Sequence, residues 1–198
     1  MTEKPYHHGS LEAALTEAAL EVVRTSGIAA LSLRDLARAV GVSPSATYRH
    51  FPSREHLVSH VSQRCREEFA RALITAREAV PRKGTAKQQS IARFQAIGRT
   101  YVHFAVDHAT VFEAAFATCD VPIQREDDPS AWQVLVDAID HMVETGAVPA
   151  ERRKDAPIIA WSGVHGLANI VTNSIWPPGV SADNEIDAVT DGIYRAIS

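Results

Sequence analysis

With 198 residues, 45% of them hydrophobic, the chain is long enough to bury a core but short for more than one large domain plus a small one. Its formal net charge of −4 by itself speaks against a nucleic-acid binder, yet the distribution does not: six arginines face two acids between Arg34 and Arg66, while acids gather elsewhere, as in Glu126-Asp127-Asp128. Cys65 and Cys119 suit neither a disulfide framework nor a metal knuckle. They are expected as free thiols of a cytoplasmic protein, because the start MTEKPYHHGS has no apolar core of a signal peptide and no run of about 18 apolar residues could span a membrane.

In chain order, Leu11, Ala14, Leu15, Ala18 and Val22 recur at helical spacing between a capping Ser10 and a stop at Gly27. Ser32-Leu33-Arg34-Asp35 then opens a helix of about two turns, with Leu33, Leu36, Ala37 and Val40 as its stripe and Gly41 as its end. Val42-Ser43-Pro44 restarts the chain as N-cap and first helical proline, and this third helix runs to about His50. Ser53 caps a long fourth helix through Leu57, Val61, Cys65, Phe69 and Leu73 toward Val80, and Pro81-Arg82-Lys83-Gly84 reads as a linker.

Further helices are predicted from Ile91 to Ala105, Val111 to Phe116, Ala131 to Val143, Ala156 to Ser174 and Asn184 to Ile197; Cys119 to Pro129 and Trp176-Pro177-Pro178-Gly179 read as turns. No strand pattern stands out, so the fold class is all-α. The division expected is an N-terminal helical domain over residues 1–53, a connecting helix over 54–80 and a C-terminal helical domain over 81–198.

The second and third helices fit a helix-turn-helix, with small Ala37 at the crossing and Gly41 in the turn. At about 100° per residue, Pro44, Thr47 and Phe51 face inward with Tyr48 on their flank, and Ser45, Ala46, Arg49 and His50 face outward. Small residues followed by a cation suit a helix that enters a major groove, where Arg49 can reach a guanine or a phosphate.

The run Leu31-Ser32-Leu33-Arg34-Asp35-Leu36-Ala37, Gly41-Val42-Ser43, Tyr48-Arg49-His50-Phe51 and Ser53-Arg54-Glu55 resembles the DNA-binding signature of the tetracycline-repressor (TetR) family. The resemblance implies a homodimeric repressor of palindromic operator DNA, with Ser32, Arg34, Ser43, Ser45, Ala46, Tyr48, Arg49, His50 and Arg54 as DNA contacts. It gives Tyr48, His50 and Arg54 to phosphates, Arg54 replacing a common lysine, and Ser32 and Ser43 to contacts at helix N-termini.

Tyr101-Val102-His103-Phe104-Ala105, Phe112-Glu113-Ala114-Ala115-Phe116 and Trp161-Ser162-Gly163-Val164-His165-Gly166 resemble the TetR-like C-terminal domains named for a Trp-His-Gly motif, as does the Tyr6-His7-His8-Gly9 start. That resemblance implies a small-molecule effector of unknown identity and a four-helix dimer interface from the last two helices. The ligand set expected is Tyr101, Phe104, His108, Phe112, Phe116, Trp161 and His165, although an aromatic stripe is also what a core looks like.

The sequence points to no catalytic residue, metal or cofactor. His56, His60 and Cys65 lack a fourth ligand, and Ser162 with His165 lies inside a helix with no nucleophile elbow, against a hydrolase. An architectural DNA-binding protein without effector is the alternative, and the acidic stretch from Arg71 onward argues against it. Dimerisation is expected through Ile158 to Ile197, because Ile186, Val189, Ile193 and Ile197 would otherwise form an exposed aliphatic strip. Ala168 is expected to face the ligand pocket.

Overall fold

A computed structural model describes residues 8–117, 130–173 and 182–198. Among these the secondary structure is helical: α1 (His8–Ser26), α2 (Leu33–Val40), α3 (Pro44–His50), α4 (Arg54–Ala79), α5 (Ala86–Asp107), α6 (Ala109–Ala115), α7 (Ala131–Glu144), α8 (Ala156–Thr172) and α9 (Ala182–Ile197), with 3-10 turns at Ile28–Ala30 and Ala150–Arg152. The all-α class is thus observed, while Tyr6, His7, Cys119, the acids at 126–128 and the turn at 176–179 lie outside the described residues.

Local chemistry accounts for the helix boundaries. Ser32 Oγ accepts from Asp35 N at 3.4 Å to start α2, and Gly41 ends it in the left-handed conformation at φ 76°, which only glycine adopts without strain. Ser43 Oγ accepts from Ala46 N at 3.2 Å, with Pro44 at the first helical position of α3. Ser53 Oγ accepts from His56 N at 3.3 Å at the start of α4. Thr85 and Gln88 form a reciprocal capping box that starts α5 earlier than its apolar stripe alone suggested.

The chain divides into two compact units: residues 8–66 with 110–117, and residues 67–109 with 130–173 and 182–198. This grouping differs from the division read in the sequence in two respects. The boundary falls within α4, and α6 belongs with the first unit, where the Thr110 hydroxyl donates to Arg24 O at 3.2 Å and Arg66 Nη1 donates to Ala115 O at 3.3 Å.

In the first unit the core takes Leu11, Leu15, Ala19, Leu20 and Val23 from α1, Leu33, Leu36 and Ala37 from α2, Phe51, and Leu57, Val61 and Cys65 from α4. The α4 stripe is as the periodicity indicated. The α1 stripe is rotated: Ala14 is exposed and Ala18 and Val22 are half-buried, because the larger surface gain comes from the face carrying Leu20 and Val23. Ser10 lies inside α1 rather than capping it.

In the second unit α5 packs against α7, α8 and α9. Gly163 sets the α8–α9 approach, since a Cβ there would lie 2.6 Å from Ile193 Cδ1; Gly98 does the same for α5 and α9, with Thr190 Cγ2 at 2.9 Å. Across α5 and α9 run Gln95 to Asp191 at 2.7 Å and an ion pair of Arg99 with Asp187.

This packing corrects the dimer argument drawn from the sequence. Ile186, Ile193 and Ile197 are 1%, 8% and 0% exposed and are already covered within their own chain. The exposed large aliphatics are instead Ile158 and Ile170 on α8, with Val106 on α5.

Candidate nucleic-acid interface and ligand cavity

The first unit presents α3 as an exposed short helix on a buried base. Thr47 and Phe51 anchor it at 0% and 3% exposure, while Ser45 and Arg49 are exposed and the Tyr48 ring is 44% exposed. Pro44, expected inward, is exposed: at the first helical position it lies beyond the anchored turn. Ala46 is half-buried and leaves room for close approach.

The remaining predicted contacts have defined partners. Ser43 Oγ lies 3.0 Å from Ser45 Oγ as well as capping α3. The Ser32 hydroxyl accepts its cap bond, which leaves its proton to donate outward. His50 is half-buried, with Nδ1 3.8 Å from Glu12 Oε2. Arg34 is exposed at the start of α2, and Arg38 one turn on pairs with Asp35 at 3.2 Å.

Arg54 has a task that the sequence did not reveal. Its Nε donates to Leu31 O at 3.1 Å, and its Nη2 donates to Ile28 O and Ala29 O at 3.2 Å each. The guanidinium thus satisfies the carbonyls of the 3-10 turn before α2. Only Nη1 remains available for an outward contact.

In the second unit an apolar cavity of about 20 Å³ lies among α4, α5, α7, α8 and α9. Tyr101 and Trp161 line it, with Leu73, Phe94, Leu135 and the small residues Gly98, Ala131 and Ala160. The Tyr101 hydroxyl lies 2.8 Å from His165 Nδ1. Trp161 meets the Tyr101 ring edge-on at 5.4 Å, stacks on His165 at 6.2 Å, and meets Trp132 at 5.7 Å. Burial pushes the Tyr101 phenol well above its ordinary value and the His165 imidazole below its own. Both groups are therefore neutral near pH 7.

Of the predicted ligand set, the structure brings Tyr101, Trp161 and His165 together, the first two on the cavity wall. Phe104 is buried against Phe69 at 5.0 Å, and His108 is exposed at the end of α5 beside Phe104; neither lines the cavity. Phe112 and Phe116 pack against each other as tilted rings 4.8 Å apart in the first unit. Ala168 is fully buried but does not line the cavity, being two turns beyond Ala160, which does. The missed lining residues are, apart from Phe94, small or aliphatic ones and Thr190 from five helices, and no local pattern marks them. Among the described residues no group of histidine, cysteine or carboxylate side chains is placed to hold a metal, and no helix is long and apolar enough to cross a membrane.

A helix-turn-helix with a solvent-facing second helix, joined to a larger helical unit, defines a DNA-binding regulator. Residues 15–61 match the family model for bacterial regulatory proteins of the tetR family, and residues 94–191 match the tetracyclin repressor-like C-terminal domain. The chain belongs to the tetR family.

Among solved structures, one of a protein of unknown function from Rhodococcus sp. RHA1 is similar at 26% identity and a TM-score of 0.79, over 98% of this chain and 99% of that one. RolR in complex with resorcinol is similar at 16% identity and a TM-score of 0.66, over 96% of this chain and 89% of that one. NalD of Pseudomonas aeruginosa, the secondary repressor of the MexAB-OprM multidrug efflux pump, gives 16% identity and a TM-score of 0.58, over 96% of each chain. No curated protein matches the chain.

Proposed function

We propose that the protein is a ligand-responsive transcriptional repressor that binds a palindromic operator as a homodimer and leaves it when a small molecule occupies the second unit. The observation that carries this reading is the outward face of α3, where Tyr48, a large ring, stays 44% exposed beside exposed Ser45 and Arg49 over a fully buried Thr47. A ring held at the surface on a rigid short helix is suited to a partner such as a phosphate backbone.

In this reading Arg49 reads a base or a phosphate, Ser45 and Ala46 allow approach to base edges, and Tyr48 and His50 hold phosphates. Ser32, Ser43 and Arg34 contact the backbone near helix N-termini. Arg54 locks the 3-10 turn and reaches a phosphate through Nη1 alone. Dimerisation uses the outward face of α8, where Ile158, Gly166 and Ile170 are exposed and Gly166 has nothing within 4 Å of a Cβ built on it.

The effector is a small neutral aromatic molecule. The cavity wall is apolar, the Tyr101 and Trp161 rings form part of it, and a solved relative of this fold holds the diphenol resorcinol. The unliganded cavity has room for about one or two water-sized spheres, so entry requires Trp161 or its neighbours to move. The Trp161–His165 stack on one helix turn favours the Trp-His-Gly subgroup.

Selection of sites from random DNA by the purified protein tests the reading. Palindromes with half-sites about one helical turn apart, or slightly more, are expected. Recovery of no common sequence would replace the repressor with a non-specific DNA binder.

A further inference from the structure

The second unit carries a polar cleft of about 450 Å³ that shares no lining residue with the apolar cavity. Its walls are Arg77 and Glu78 at the end of α4, Arg82 in the linker, Arg93 of α5, and Asp137 and His141 of α7. Residues 77–93 hold five cations, Arg77, Arg82, Lys83, Lys87 and Arg93, against the single acid Glu78, within a stretch from Arg71 onward that is otherwise acidic. A charge reversal of this kind calls for a counter-charge.

The cleft's own carboxylates do not supply enough of it. Glu78 lies 3.8 Å from Arg77 Nη2, and Asp137 accepts from Gln133 at 2.7 Å. His141 Nδ1 is 3.3 Å from Glu144. Among the described residues no carboxylate lies within ion-pairing distance of Arg82 or Arg93, although Arg93 is half-buried. The carbonyl end of α4 explains a cation at Arg77. It does not explain Arg82, beyond the helix, or Arg93, on α5.

We propose that this cleft binds a small organic dianion of the phosphate-monoester class, held between the Arg82 and Arg93 guanidinium groups. Guanidinium groups match phosphate oxygens in bidentate fashion, and two of them lining one cleft from different elements can fix orientation as well as charge. The cleft lies within the usual 300–1,000 Å³ range of small-molecule sites, roughly, and so accommodates the ester group as well as the phosphate. The site is separate from the proposed effector cavity and does not rest on that reading.

Calorimetric titration of phenyl phosphate into the full-length protein tests the proposal. Saturable binding of one molecule per chain is expected. Arg82→Gln and Arg93→Gln should each weaken it at least about tenfold. Arg152→Gln removes an exposed positive charge elsewhere in the same unit and should leave it unchanged. Arg82 is exposed in a linker, so its variant keeps the test valid should Arg93→Gln fold poorly. Absence of saturable binding, or equal weakening by Arg152→Gln, overturns the site. Displacement of phenyl phosphate by non-specific duplex DNA would reassign the cleft to nucleic-acid backbone and likewise overturn the small-molecule proposal.

Discussion

Arg54 contributes three charge-assisted hydrogen bonds to carbonyls at Ile28, Ala29 and Leu31, and so holds the start of α4 against the turn that leads into α2. Such bonds are worth roughly 1–2 kcal/mol in total at an exposed site. Arg54→Ala should lower the thermal unfolding midpoint accordingly, and Arg54→Lys should recover charge but not stability, because an ammonium cannot span the three carbonyls. Equal midpoints for Arg54→Lys and the wild type would reduce this residue to a surface cation. Thr47 offers the opposite case: its buried Oγ1 has no hydrogen-bond partner. Thr47→Val removes that desolvated hydroxyl with little change of shape, and chemical denaturation should find it neutral or stabilising by up to about 1 kcal/mol. A clear loss would mean that the hydroxyl has a partner after all.

The Tyr101–His165 pair adds a pH dependence. Burial lowers the His165 pKa from its ordinary 6.5, so below about that pH the unfolded chain binds more protons than the folded one, and stability falls as pH falls. Tyr101 is raised from its ordinary 10.0, so above that value the unfolded chain releases its phenolic proton first and stability falls as pH rises. Unfolding midpoints measured from pH 5 to 11 should show both declines. His165→Gln should flatten the acid one while leaving the alkaline one; an unchanged acid decline would place its origin in other residues.

At the scale of elements, α3 was legible to the residue, because Ser43, Pro44 and the break at Phe51-Pro52 are local signals. The long α4 was legible from its period. The 3-10 turn at Ile28–Ala30 was not, since bonds from Arg54 to the carbonyls of Ile28, Ala29 and Leu31, 23 or more positions away, leave no local mark. The cavity was half legible: its rings Tyr101 and Trp161 stand out, whereas Gly98, Ala131 and Ala160 matter only by what five helices bring around them. Periodicity likewise indicated an apolar strip on α9 but could not tell cover by α8 from cover by a second chain. Gly163 and Ile170 of α8 separate these roles. Gly163→Val should destabilise each chain, because Ile193 has to move, while Ile170→Asp on the exposed face should dissociate the dimer and leave each chain folded. Light scattering decides: a mass of twice the 21.5 kDa chain for Ile170→Asp at micromolar concentration would move the interface elsewhere.

At the scale of the whole molecule, the predicted operator contacts Ser32, Arg34, Tyr48 and Arg49 lie in one compact unit and the cavity residues in the other. Effector response and operator affinity can therefore be altered separately, since coupling between them is a free energy distinct from either binding term. Ala131 is the residue for this test, being half-buried on the cavity wall at the start of α7. Ala131→Phe fills a space with room for little more than one water-sized sphere and should remove release by any neutral aromatic effector that acts on the wild type. Operator affinity without effector should stay within about threefold, because a ligand-site variant that shifts neither state relative to the other leaves the DNA-competent population unchanged. Fluorescence anisotropy of a labelled operator, with and without effector, measures both quantities. Full release of Ala131→Phe at wild-type effector concentrations would place the effector outside this cavity.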